Sequence, residues 1–279
     1  MPDTTITSRR HPLVARCRDA ADGQADEVLL EGPHLVADAI DAGLDLPLVI
    51  VSEGVEARAE IALLVQRAQA RGHHVQRVTP AVLDAASPAR TPVGILALAS
   101  LHLQDVTRLV RPAPALITVA IGVQDPGNLG TLVRSSEAAG ATGFLAAGYS
   151  AHPFGWKALR GAMGSALRLP IARVADPQAP LRSLQALGLR LVALSADADV
   201  TVYDVDLLGP IGVIAGAEGA CLPAAVQASA DLRLRIPMQP PVDSLNVGVA
   251  TSLVLFEIAR QRAHAGRGDS PHRPTVTLP

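Results

Sequence analysis

An α/β fold in two units, with a parallel sheet in the larger C-terminal one, is what this sequence predicts, and three observations predict it. Strand-length apolar runs alternate with helix-length stretches along most of the chain. A polar passage containing two prolines, 103–114, interrupts that alternation, which then begins again. The 279 residues are 49% hydrophobic and 18% charged, enough apolar side chain for a real core and far from the composition of disorder. A chain of this length admits one large α/β unit or two modest domains, and the interruption favours two.

Each element follows from the local pattern. In the first unit, 28–30 is an apolar run, 33–42 has helical spacing, 46–51 is strand-like and 56–71 is a long helix. The runs 74–78 and 94–99 add two strands, with 79–86 a short capped helix between them. The second unit opens with a strand at 115–121, a helix at 128–139 and a strand at 143–147. Further strands are expected near residue 171 and at 189–194, 212–215 and 232–236, the signature of a parallel sheet. The last helix, 244–262, begins at an Asp243-Ser244 cap and is apolar through Val247, Val249, Leu253, Val254 and Phe256 on more than one face, so it calls for burial on several sides. The expected division is 1–103, a linker at 104–114, 115–264, and a loose tail at 265–279.

Composition narrows the function. Aromatic residues are 2% of the chain, which disfavours an RNA surface built on stacking, so nucleic-acid contact would rest on charge and hydrogen bonds. The net charge of -2 argues against a chain that coats nucleic acid without discrimination. Lys157 is the one lysine among 24 basic residues; the arginines suit forked phosphate contacts or reflect coding bias. Arg9, Arg10, Arg16 and Arg18 form either a basic arm or a solvated terminus. Cys17 and Cys221 are too few for a disulfide framework, and no cluster has metal-ligand spacing. No leader or membrane span is read, which leads to the expectation of a cytoplasmic protein without a metal requirement.

Three blocks carry chemistry. The first, DPGNLGTLVRSSEAAGATG from Asp125, turns from a strand into a helix; Asn128 is placed to cap that helix, and Arg134 projects about two turns further along. Such turns bind anions, and ordinary βα turns also use Gly and Asn. The second, GVIAGAEGACLP from Gly212, ends a strand at Gly216 and sets the carboxylate of Glu218 at the carboxyl edge of the sheet, where ligands of α/β sheets bind. The third, RIPMQPPVDSLNVGVATSLVLFEIARQR from Arg235, has a proline-extended loop and a polar trio, Asp243, Ser244 and Asn246, before an apolar helix. Helix capping accounts for Asp243 or Ser244 but not for Asn246.

In this order and spacing the three blocks resemble the motifs of the SpoU/TrmH family of RNA 2'-O-ribose methyltransferases, within the SPOUT superfamily. The stretch WKALRGAMGSALRLP from Trp156 is similar to the region between the first two motifs, and ADEVLLEGPHLVADAIDAG from Ala25 to the opening of a substrate-binding domain. The resemblance implies a small N-terminal α/β RNA-binding domain and a C-terminal SPOUT domain whose chain is threaded into a trefoil knot and which works as a homodimer. It implies S-adenosylmethionine as cofactor, held at Gly216, Ile236 and Leu245, and ribosomal RNA as the preferred partner over transfer RNA. By motif position Arg134 is the essential arginine, as general base or as phosphate clamp; an ordinary guanidinium is always protonated and has no lone pair with which to accept a proton. Asn128 orients that end of the site, Glu218 holds the arginine or the ribose, and Ser244 and Asn246 close the pocket. Ala220 and Cys221, and Pro240 or Pro241, stand where the motifs usually carry glycine, which implies altered loop shape. Two rivals are a non-catalytic RNA-binding or assembly factor that keeps the fold and a nucleotide-dependent oxidoreductase, the latter lacking its G-x-G-x-x-G turn.

Overall fold

The computed structural model describes residues 4–23, 26–216 and 222–266, and these form two sheets with their covering helices. The first sheet contains β1 (Glu27–Glu31), β2 (Leu48–Ser52), β3 (Val75–Val78) and β4 (Ile95–Ser100), in the order β1-β4-β2-β3. β4 runs antiparallel to β1 and β2, while β2 and β3 are parallel, so the sheet is mixed. Its helices are α1 (Pro12–Ala21), α2 (Pro33–Asp41), α3 (Ala59–Ala70) and α4 (Pro80–Ala86). Successive strand residues face opposite sides. Val28, Leu30, Val49 and Val51 therefore pack under α2 and α3, whereas Leu29, Leu48 and Ile50 pack under α1 and α4.

Three expectations change here. The helix expected at 56–71 is a 3-10 turn, Val55–Ala57, followed by α3, because Arg58 between them is extended (φ -83, ψ 117) and breaks the ladder. Residues 12–21, where a basic arm was one expectation, form α1, with Leu13, Val14, Cys17, Ala20 and Ala21 buried. Arg16 pairs with Glu27 at 2.6 Å and Arg18 donates to the Ala85 carbonyl at 2.9 Å, so two of the four arginines are engaged within the unit. The passage expected as a linker is docked: Gln104 N donates to Ile171 O at 2.7 Å, and Leu109 is fully buried with its carbonyl accepting from Thr142 Oγ1 at 2.7 Å.

The second sheet contains β5 (Leu116–Ile121), β6 (Gly143–Ala147), β7 (Ile171–Val174), β8 (Arg190–Leu194), β9 (Val200–Thr201), β10 (Ile211–Gly216) and β11 (Leu232–Arg235). Its order is β7-β6-β5-β10-β8-β11-β9 and every pairing is parallel. The helices are α5 (Pro126–Ala138), α6 (Trp156–Ala162), α7 (Gln178–Ala186), α8 (Ala224–Ser229) and α9 (Val247–Ala265). From β5 the chain first builds outward through β6 and β7, then places β8 and later strands on the other side. The crevice at such a reversal, outside the carboxyl ends of the strands, is where α/β sheets bind ligands.

α9 meets the expectation of burial on several sides. Val254, Leu255 and Ile258 enter the core beneath β8, β10 and β11. Gly248 lies against α5 so closely that an added Cβ would stand 3.1 Å from Thr131 Cγ2. At its far end Arg262 donates to the carbonyls of Pro114, Ala115 and Gly209 at 3.1, 3.0 and 2.8 Å, fastening α9 to the entry of β5.

The two sheets share apolar packing. Val28, Leu35 and Ile95 from the first unit and Leu129, Phe144 and Leu159 from the second belong to one continuous buried cluster. Gly23, at φ +73, lets the chain pass so near Phe154 that a Cβ would lie 2.6 Å from its carbonyl oxygen, an approach only glycine permits.

Candidate active site

The first chemical block folds as strand, turn and helix. Pro126 takes the first helical position of α5 and Asp125 is the N-cap, its Oδ1 accepting from Asn128 N at 2.7 Å. This corrects the expectation that Asn128 caps the helix. A capping side chain must precede the first turn, and Asp125 already fills that place. The Asn128 side chain is thereby released for a long-range bond: its Oδ1 accepts from Asn246 Nδ2 at 3.1 Å, across 118 positions of sequence.

Asn246 also caps α9. Its Oδ1 accepts from Gly248 N at 2.9 Å and from Val249 N at 3.3 Å, so the helix begins at Val247 and not at the expected Asp243-Ser244 cap. One residue thus terminates a loop, starts a helix and joins it to α5. Further along the same contact the hydroxyls of Ser252 and Ser135 are hydrogen-bonded at 2.7 Å. Arg134, the neighbour of Ser135, is exposed about 9 Å along α5 from Asn128, estimated from the helical rise. Among the described residues no hydrogen bond or ion pair engages its guanidinium.

Beside this helix pair lies a cavity of about 590 Å³, within the usual range for small-molecule sites. Its walls come from the carboxyl ends of β8, β10 and β11, from the loop before α9 and from the first turns of α9. Gly216, Ile236, Leu245 and Ser244 all line it. Ser244 Oγ donates to Asp243 Oδ1 at 3.1 Å, and both residues are exposed on the cavity rim. The polar trio therefore divides its work, Asp243 and Ser244 bordering the cavity while Asn246 holds the two helices together. Glu218 lies outside the described residues, as do Ala220 and Cys221.

The cavity also contains polar groups that no motif announced. Asp197, just past β8, accepts a hydrogen bond from Ser195 that holds its carboxyl below the ordinary range. Arg233 on β11 and Gln227 on α8 complete the polar lining, and Thr251 on α9 is buried against it. Of these, Asp197 and Arg233 stand near the carboxyl ends of strands, and Gln227 and Thr251 lie on helices. Among the described residues no group of three His, Cys, Asp or Glu side chains is arranged to hold a metal ion. No described helix is long and apolar enough to cross a membrane. Apolar walls with a few polar groups suit a small organic ligand.

Comparison with known proteins agrees with this arrangement. Residues 115–256 match the model of the SpoU rRNA Methylase family, and residues 23–97 match an MRM3-like substrate binding domain. The chain is 34% identical over 266 residues to an uncharacterized tRNA/rRNA methyltransferase of Mycobacterium sp. (strain KMS), covering 90% of this chain and 85% of that one. It is 32% identical over 240 residues to the 23S rRNA (guanosine-2'-O-)-methyltransferase RlmB of Xanthomonas campestris pv. campestris, covering 84% and 96% respectively. Among solved structures, an AdoMet-bound rRNA methyltransferase from Sinorhizobium meliloti superposes with a TM-score of 0.81 at 27% identity, covering 92% of this chain and 97% of that chain.

Proposed function

Because this chain belongs to the SpoU rRNA methylase family, we propose that it methylates a ribose 2'-hydroxyl of ribosomal RNA with S-adenosylmethionine as methyl donor. The observation that carries the reading is the meeting of the three blocks at one sheet edge. The Asn128–Asn246 bond stands beside a cavity lined by Gly216, Ile236, Leu245 and Ser244. The residues fit the cofactor: apolar walls suit the adenine and methionine chain, and Asp197 and Gln227 offer partners for hydroxyl and amino groups. Bound there, S-adenosylmethionine supplies an electrophilic methyl carbon on a sulfonium.

The chain's own residues hold the second substrate in line with that carbon. Arg134, charged and exposed, grips the phosphate next to the target ribose and stabilises the alkoxide character of the 2'-oxygen as the hydroxyl gives up its proton to solvent water and attacks. A guanidinium that stays protonated is suited to this work and not to proton removal. Asn128, oriented by Asn246, fixes the ribose; Ser244 closes the cavity rim, and Glu218 holds Arg134 or the ribose.

The same reading covers organisation. Residues 1–103 form an RNA-recruiting domain, 104–114 the connection and 115–264 the methyltransferase domain; of the tail expected at 265–279, Ala265 ends α9 and residues 267–279 lie outside the described residues. The return of residues 236–246 to the edge of β10, itself inserted between β5 and β8, supports a trefoil knot. Val249, Leu253 and Phe256 are 49%, 41% and 51% exposed on one side of α9 and support a homodimer through that side. A ribosomal RNA substrate supports a cytoplasmic location.

The test uses purified full-length protein: calorimetric titration with S-adenosylmethionine, then transfer of labelled methyl to ribosomal and transfer RNA. Wild type should bind the cofactor and label ribose in ribosomal RNA. Arg134→Ala should bind equally and transfer about 100-fold or more slowly. Cofactor binding with no transfer to any RNA would favour the RNA-binding factor instead.

A further inference from the structure

Thr251 lies in the second turn of α9 and lines the cavity together with Val247 and Ala250. Its side chain is 0% exposed, and its Oγ1 has no hydrogen-bond partner. A helical hydroxyl ordinarily has an acceptor at hand in the carbonyl four residues back. In this chain Thr131, Ser136, Ser183, Ser229 and Ser252 all use it, at 2.6 to 3.0 Å. Thr251 does not, although it sits beside Ser252 on the same helix. The other buried unpartnered side-chain atoms among the described residues, Glu31 Oε1 and Arg262 Nε, do not border this cavity.

Burying a hydroxyl without a partner is unfavourable, and natural proteins keep such groups where a ligand completes them. We infer that Thr251 is a cofactor-binding residue whose hydroxyl bonds a nitrogen or oxygen of the adenosyl ligand. The inference rests on reading the cavity as the S-adenosylmethionine site. A hydroxyl donates one bond and accepts others, so a ring nitrogen, an amino group or a ribose hydroxyl each satisfies it. Nothing in the sequence marks the position: Thr251 lies in the apolar run that follows Asn246, where a β-branched side chain reads as helix packing.

The test compares full-length wild type, Thr251→Val and Thr251→Ser by titration with S-adenosylmethionine and S-adenosylhomocysteine and by the thermal midpoint without ligand. Valine keeps the shape and removes the hydroxyl. It should raise the ligand-free midpoint by about 2–4 °C and weaken both ligands about tenfold. Serine keeps the hydroxyl and loses a methyl, so it should lower the midpoint and retain affinity. A side chain with only a packing role cannot produce these opposed orders. Wild-type affinity in Thr251→Val overturns the inference, as does a loss of affinity in Thr251→Ser equal to that in valine. If wild type binds neither ligand, the reading of the cavity itself fails, an outcome visible before any variant is compared.

Discussion

Replacing Gly130 with alanine tests how closely the helix that carries Asn128 and Arg134 is seated. Gly130 lies within α5, where alanine is ordinarily the better helix former by about 1 kcal/mol. Here the added methyl enters the backbone of α6: it would stand 2.9 Å from both Ala162 N and Gly161 C, and closer still to Ala158 O. Peptide atoms cannot swing aside as the end of a side chain can, so α5 and α6 must separate. Overpacking a tight interface costs about 1–3 kcal/mol, and a clash with main chain belongs at the upper end. Subtracting the propensity gain leaves about 2 kcal/mol of net destabilisation. At roughly 2–4 °C per kcal/mol, the midpoint should fall by about 4–8 °C. Gly209→Ala is the control, since a Cβ there meets nothing within 4 Å. Scanning calorimetry of the three proteins decides the matter. A Gly130→Ala midpoint at or above wild type would refute the reasoning, because helix propensity would then have outweighed the contact.

Other expectations follow from the same geometry. Asn246→Ala removes the cap of α9 and the bond to Asn128, so denaturant unfolding should show a loss of about 1–2 kcal/mol; an unchanged midpoint would contradict the capping role. Burial lowers the His152 pKa from 6.5 to about 4, with the charge of Arg173 acting in the same direction. As pH falls the unfolded chain takes up that proton first, so the stability contribution is complete above pH 6.5 and is lost between there and about pH 4. Proton NMR of the imidazole checks this, and a titration midpoint above pH 6 would be inconsistent with it. Phe256→Glu places a charge on the exposed apolar side of α9; light scattering should report a dimer for wild type and a monomer for the variant, and a monomeric wild type removes the proposed interface.

Much of the fold was legible from pattern alone, and the exceptions have physical causes. β6 falls where its apolar run lies, Gly143–Ala147, because a central parallel strand buried on both faces leaves an uninterrupted signal. α1 carries its buried residues at helical spacing, but the arginines on its exposed face give the segment the composition of a solvated terminus. The start of α9 was misplaced because Asp243, Ser244 and Asn246 are all competent caps, and only the partner on α5 selects among them. The position of β10 between β5 and β8 depends on pairings between distant segments, which local periodicity does not encode. In the site, the motifs pointed to Asn128, Ser244 and Asn246. They gave no hint of Asp197, Arg233 or Thr251, which arrive at the cavity through tertiary folding.

The buried cluster that runs from Val28 and Leu35 to Phe144 and Leu159 makes the N-terminal unit a rigid outrigger instead of a tethered hook. Because the two units share one buried core, its distance from the cavity is set by packing. On the proposed function, an RNA held by that unit would be offered to Arg134 at a constant reach, so that the selection of one ribose among many would become a matter of measurement. RNAs of the wrong curvature would bind and still leave the reactive hydroxyl out of range.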